Sequence, residues 1–332
     1  MKNNKVIAFI VLIGVVVLWG VAPVISKAIF HDNTYSPGIL IALRGLFAII
    51  AMAAFINKGF KKINKSYWIC IPAGLILAAA YLFQFVGLNK THASKNAFLE
   101  NISCITIPLF MFIFVREKPK WYSIVSAVIC VIGSVFLIGN GFDLKHFFNE
   151  DEILGDGLSA IGGLFFGLDI AFTKVFCKDK DPLIYVFLQL CVLTVIAFAY
   201  SMIFEVGLGT PDGFFDQFAI SFKFTDILLV VFLGVICTAV CWVARAWSMK
   251  SIDAVTVSLL VPLSAVVASV LSIAFQFEEF TTNLLIGGLI ILLSIAISAI
   301  FDYRKGCQPD KKDEQQPNEE VVTTDEPDQS QL

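Results

Sequence analysis

The residues best able to do chemistry here are ionisable and hydrogen-bonding side chains set inside long apolar runs. Arg44, Glu100 and Asp169 each stand in such a run. A charge in lipid costs roughly 3 kcal/mol or more, so each needs a partner or a wet cavity. Arg44 follows Pro37 by 44 − 37 = 7 residues, and Glu100 follows Ala93 by 100 − 93 = 7. At about 1.5 Å per residue, both lie roughly 10 Å into helices that start on the same side. Depth therefore predicts an Arg44–Glu100 ion pair. One reading is a pair that fixes helix packing. The other is a binding site in which Arg44 meets a carboxylate, or Glu100 exchanges a proton or attracts a cation.

Neighbouring residues extend this constellation. Asn96, Glu100 and Ser103 fall at i, i+4 and i+7 and form one polar stripe. Tyr81 and Gln84 share a face of the third run; with Arg44 they would offer donors and acceptors to a zwitterion. The plainer reading is interhelical bonding, worth about 0.6–2 kcal/mol in membranes. Thr238, Trp242 and Arg245 form a second stripe, and Arg245 is expected to snorkel to the interface. Asp169 is expected to line the cavity and bind substrate; its other option is pairing with Lys174 or Arg245. Trp19 lies too deep for an interfacial belt. It is expected to line a cavity with Trp242, where both could stack on an aromatic or cationic ligand.

Other residues read as mechanical. Lys27 and Lys174 are expected as interface anchors or gate elements. Pro23, Pro108 and Pro262 interrupt runs, where each frees a carbonyl and bends its helix, for gating or for passive packing. Gly163 and Gly167 form a GxxxG match, read as a close contact within the chain in preference to a homodimer. Most of the eight cysteines sit in apolar runs, and His31, His92 and His146 lack ligand spacing, so no metal or cofactor is expected. GxxxxGK[ST], HExxH and GxSxG are all missing, which leaves ATP-driven pumping and common hydrolase chemistry without support.

These residues need elements to hold them. The chain is 58% hydrophobic and 15% charged, with mean hydropathy +0.82; soluble domains carry about 25% charged residues. The runs predict ten membrane-spanning helices near 6–27, 37–57, 67–88, 93–115, 120–139, 154–177, 182–204, 224–247, 253–276 and 281–301. Lys and Arg gather in alternate loops, among them 58–65, 116–120 and 178–180, which predicts a multi-pass protein of the cell membrane with both termini in the cytoplasm. Residues 303–332, rich in Asp and Glu, read as a disordered cytoplasmic tail.

The chain also repeats itself. Trp19-Gly20…Lys27 resembles Phe166-Gly167…Lys174, with an offset of 174 − 27 = 147; Ala93…Leu99…Glu117 matches Ala254…Leu260…Glu278, with an offset of 254 − 93 = 161. Five spans separate the copies, an odd number, so the second copy is inverted. The expected organisation is a first repeat over 1–140, an extracytoplasmic linker over 141–153 and a second repeat over 154–302. Inverted repeats place a binding site where the halves meet.

Leu18-Trp19-Gly20 with Lys27, Arg44, Gly87-Leu88…Thr91…Ala93, Asn96-Ala97-Phe98-Leu99, Pro108 and Glu117 carry a resemblance to the drug/metabolite transporter superfamily, specifically its EamA-type ten-helix members. In the second half it continues through Ala254, Leu259-Leu260, Pro262 and Glu278. The resemblance implies alternating access, no ATP hydrolysis and a central cavity. Glu100 departs from the family pattern, in which that position is small or hydroxylic. The expected function is secondary transport, as an exporter, of small polar metabolites such as amino acids. The implied partners are a small-molecule substrate, the lipid bilayer and a coupling proton or ion, with no nucleic acid. A passive facilitator or channel is the second reading; an intramembrane enzyme or lipid-binding scaffold is the third.

Overall fold

In hydrocarbon no water pairs the backbone, so an apolar run must satisfy its own N–H and C=O groups, and a helix does this within the segment. The computed structural model describes residues 2–31, 35–56, 63–116, 121–138, 153–205, 224–276 and 282–306, and every regular element among them is helical. The first half comprises α1 (Lys2–His31), α2 (Pro37–Ile56), α3 (Cys70–Lys90), α4 (Ala93–Glu100), α5 (Ser103–Val115) and α6 (Trp121–Ile138). The second comprises α7 (Ile153–Phe176), α8 (Pro182–Tyr200), α9 (Phe224–Gly234), α10 (Cys241–Ser248), α11 (Ala254–Leu260), α12 (Leu263–Ala274) and α13 (Thr282–Gly306). A π-helical turn, Val235–Val240, joins α9 to α10. Seven helical stretches are long and apolar enough to cross a bilayer, and shorter apolar stretches at 124–133, 263–274 and 285–294 complete ten. The fold is all-α, with two inverted five-helix repeats.

Local chemistry sets several ends. Asp181 accepts a hydrogen bond from the Leu183 N–H at 3.0 Å and Pro182 opens α8, where a missing donor costs nothing. The Glu205 carboxylate accepts from Ser36 Oγ at 2.5 Å and from the Gly38 N–H at 2.8 Å, placing a negative charge at the α2 N-terminus.

Two expected spans are not continuous. The fourth breaks at Asn101–Ile102 and the ninth at Val261–Pro262, and the two breaks are 262 − 101 = 161 residues apart. Tight i→i−3 bonds mark both, from Cys104 N to Asn101 O at 2.9 Å and from Ala265 N to Pro262 O at 3.1 Å. Pro262 thus starts α12 and does not kink a longer helix, whereas Pro23 and Pro108 do lie inside α1 and α5. Helix α13 also runs to Gly306, beyond the expected start of the tail at 303. Glu117, Glu278, linker residues 141–152 and tail residues 307–332 lie outside the described residues.

The repeat reappears as packing. Helix α2 lies on its mate α8, α6 on its mate α13, and α4 on α12, so spans two, four and five each meet their own copy in the other half. The remaining contacts between halves come in matched pairs: α3 with α7 answers α10 with α1, and α5 with α7 answers α12 with α1. A Cβ on Gly20 would lie 2.6 Å from the Ser264 carbonyl and from Val267; one on Gly167 would meet Thr106 and Ser103. Since 264 − 103 = 161 and 267 − 106 = 161, the duplicated glycine serves the same close approach twice.

Lys27 and Lys174 follow the same rule. Lys27 Nζ donates to the Leu88 and Thr91 carbonyls at 3.0 and 2.7 Å, and Lys174 Nζ to the Met249 and Ile252 carbonyls at 2.5 and 2.6 Å. Each ammonium thus neutralises the negative end of the third span of its own half.

Candidate functional site

On the pseudo-twofold axis between the halves lies a cavity of about 40 Å³. One water needs roughly 10–15 Å³ of such space, so the cavity holds about three waters, and a metabolite can enter only if the halves part. Its walls are built from symmetry mates. Tyr81 faces Trp242, Gln84 faces Arg245 and Glu100 faces Val261, each pair 161 residues apart, while Trp19 and Phe166 are 166 − 19 = 147 apart. The frame is symmetric and its chemistry is not.

Five aromatic residues, Trp19, Tyr81, Phe85, Phe166 and Trp242, border the cavity. Trp19 and Trp242 have centroids 5.5 Å apart, Tyr81 and Trp242 5.9 Å, and Tyr81 and Phe166 5.4 Å. The Trp242 indole N–H donates to the Tyr81 hydroxyl at 2.8 Å, which locks mates from the two halves together. Both guanidinium groups lie against this box: Arg44 is 4.9 Å from the Tyr81 ring and 5.2 Å from Phe85, and Arg245 is 4.0 Å from Trp242.

The expected Arg44–Glu100 ion pair does not form. Arg44 Nε donates to Thr238 Oγ1 at 3.0 Å, and Thr238 in turn donates to the Leu233 carbonyl at 2.8 Å within the π turn. Glu100 accepts from Gln84 Nε2 at 2.8 Å. The two residues share a depth and a cavity, but their helices turn them to different neighbours.

Arg245 also departs from expectation. It does not snorkel: its side chain is 0% exposed and bonded through Nη2 to Asp169 Oδ2 at 2.8 Å, and Asp169 is equally buried. Gln189 donates to the other Asp169 oxygen at 2.5 Å. Asp169, expected in the cavity wall, instead stands behind it and pairs with Arg245, which borders the cavity. Among the residues expected to bind, Trp19, Arg44, Tyr81, Gln84, Glu100 and Trp242 border the cavity, as does Pro23. Asn96 does not border it; its amide donates to Ser159 Oγ at 2.7 Å and the Gln84 carbonyl at 3.0 Å. Arg245 and Phe166 border the cavity as well, and each is the repeat mate of a residue expected to bind, Gln84 and Trp19.

A model of the EamA-like transporter family matches residues 6–139 and 153–300. The chain belongs to this family. It is 22% identical over 293 residues to an uncharacterized transporter of Archaeoglobus fulgidus, covering 86% of this chain and 83% of that one. It is 23% identical over 310 residues to the uncharacterized transporter YoaV of Bacillus subtilis, covering 89% and 97%. A protein of known crystal structure shares the fold, with TM-score 0.68 and 18% identity over 92% of this chain and 99% of that one. The chain is therefore a multi-pass membrane transporter.

In this EamA-like transporter the two ends of the interface between the halves differ in chemistry. Beyond the cavity on the face where α4 begins, Lys95 and Asp156 form a buried ion pair, Thr91 Oγ1 donates to Asp156 Oδ1 at 2.8 Å, and Asn96 bonds Ser159. The repeat mates of Asp156 and Ser159 are Phe9 and Leu12, and that of Asn96 is Val257. On the opposite face Leu12 and Val257 join Ala8, Val16 and Leu260 in one apolar cluster, with Phe9 packed against it. One end is polar and the other is apolar.

Gly163 and Gly167 set the spacing of this region inside the chain. Gly163 abuts the backbone of Leu99 and Glu100, and Gly167 abuts Ser103 and Thr106. Both contacts tie α7 to the broken fourth span.

Proposed function

We propose that this transporter is a secondary carrier that exports small polar organic metabolites, amino acids or related amphipathic compounds, by alternating access. The carrying observation is the small cavity between inverted halves, which combines an aromatic box with a carboxylate, Glu100, and two guanidinium groups, Arg44 and Arg245. Such a wall suits a compound with one apolar face and charges of both signs. In this reading the halves, 1–140 and 154–302, rock about the cavity, and residues 141–153 link them. With both termini in the cytoplasm, as the basic loops predict, the polar end would seal the outer face and the apolar end the inner one. A cavity that holds only about three waters favours a carrier over an open channel.

Purified protein in liposomes tests this. Saturable, trans-stimulated flux of an amino acid is expected. Glu100→Gln and Arg44→Ala should each lower its initial rate at least tenfold. Flux in the outward direction should dominate when vesicles of both orientations are compared. Non-saturable flux, or rates unchanged by both substitutions, would remove the proposal.

A further inference from the structure

We infer that Arg245, assisted by Trp19, is the carboxylate-binding pole of the cavity, and that the substrate is a zwitterion whose carboxylate lies there while its ammonium faces Glu100. The inference rests on the amphipathic-metabolite reading above and assigns the poles within it.

Arg245 has five N–H donors. One nitrogen, Nη2, bonds Asp169 and reaches Thr173 Oγ1 at 3.4 Å. Its Nε and Nη1 are buried with no protein acceptor, and so is Trp19 Nε1. Both residues border the cavity. Three buried, unpaired nitrogens at one cavity are a costly arrangement in a dry interior, and a carboxylate is the small group that would satisfy them. In the absence of substrate, waters would serve, and the carboxylate displaces them.

Arg44 is less suited to this role. Its Nε is fixed on Thr238, and none of its nitrogens is among the buried donors left without an acceptor. At the other pole, Glu100 accepts one bond from Gln84, and an ionised carboxylate has room for several more. The repeat explains the polarity. Arg245 replaces Gln84 of the first half, and Glu100 has only Val261 as its mate. Neither charge is repeated at its mate position, so donor and acceptor each stand at one place on the cavity wall. Asp169 balances the charge of Arg245 without filling its remaining donors, so an entering carboxylate meets a fixed, hydrogen-bonding group.

The test uses the full-length protein in detergent, with the natural amino acids and their carboxamides as probes. Binding is read by thermal shift and by quenching of the cavity tryptophans. Wild-type protein should bind the amino acid at least tenfold tighter than its carboxamide. Trp19→Phe, which keeps a ring, and Arg245→Lys, which keeps the charge, should each reduce that ratio severalfold. Arg44→Ala should weaken both ligands alike. A ratio near one in the wild type overturns the assignment, as does a ratio that survives both Trp19→Phe and Arg245→Lys, or one that collapses only in Arg44→Ala. Those outcomes leave the transport reading standing. If no amino acid and no carboxamide binds, the amphipathic-metabolite reading falls and the pole assignment falls with it.

Discussion

Asp169→Ala is expected to destabilise this transporter more than any other single change. Asp169 and Arg245 are both 0% exposed, and they pair at 2.8 Å. Removing one partner of a buried pair costs about 3–5 kcal/mol, because the other charge stays behind uncompensated. That is a large share of a typical margin of roughly 5–15 kcal/mol. The Gln189 amide loses its acceptor in the same step. Yield of monodisperse protein in detergent and its unfolding temperature should both fall sharply. Asp169→Asn should fall between Asp169→Ala and the wild type. The double variant Asp169→Asn with Arg245→Gln should recover much of the lost stability, since no unpaired charge remains, yet it should not recover substrate binding. Wild-type unfolding behaviour in Asp169→Ala would show that the pair holds nothing together.

Gly163→Ala should damage the site out of proportion to its size. The added Cβ would lie 2.7 Å from the Leu99 carbonyl, 2.8 Å from Glu100 Cα and 2.9 Å from the Glu100 carbonyl. All three are backbone atoms, so relief requires the break between α4 and α5 to move. Overpacking of this kind costs about 1–3 kcal/mol. The larger effect is on Glu100, whose backbone is displaced directly; flux should drop more than tenfold. Gly157 is the internal control. It lies on the same helix, and a Cβ there would meet nothing within 4 Å. Gly157→Ala should be neutral or stabilising by up to about 1 kcal/mol, the helix-propensity difference. Equal behaviour of the two alanine variants in a transport assay would contradict the close-approach account.

The difference between these two glycines shows what one-dimensional pattern can and cannot carry. Length and hydropathy made the helices legible, and the duplicated Trp19-Gly20 and Phe166-Gly167 motifs made their inversion legible. Depth was also legible: Arg44 and Glu100 do border the same cavity. Azimuth was not. Counting residues from a helix start places a side chain along the axis, while its partner depends on how that helix is rotated against its neighbours. Arg44 therefore turned out to bond Thr238, in a π turn that no pattern announced. Arg245 was misjudged for a related reason. Its nearness to a helix end suggested the interface, but Asp169 on α7, itself held by Gln189 on α8, reaches it inside the protein. The break at Asn101 was hidden because its turn needs no glycine or proline, whereas its mate carries Pro262. The repeat offset itself places Arg245 as the mate of Gln84, 161 residues on, and both border the cavity.

The most direct test of the central claim is accessibility of the cavity from each side of the membrane. Ala22 borders the cavity. An Ala22→Cys variant, with the native cysteines replaced, can be challenged with a membrane-impermeant thiol reagent applied to one face at a time. Alternating access predicts reaction from both faces, with substrate and the state of the seals setting the balance. Removing the Lys95–Asp156 ion pair by Lys95→Ala should shift reactivity toward the face that carries that pair. Reaction confined to one face under every condition, or unhindered reaction from both faces as through a continuous pore, would contradict it.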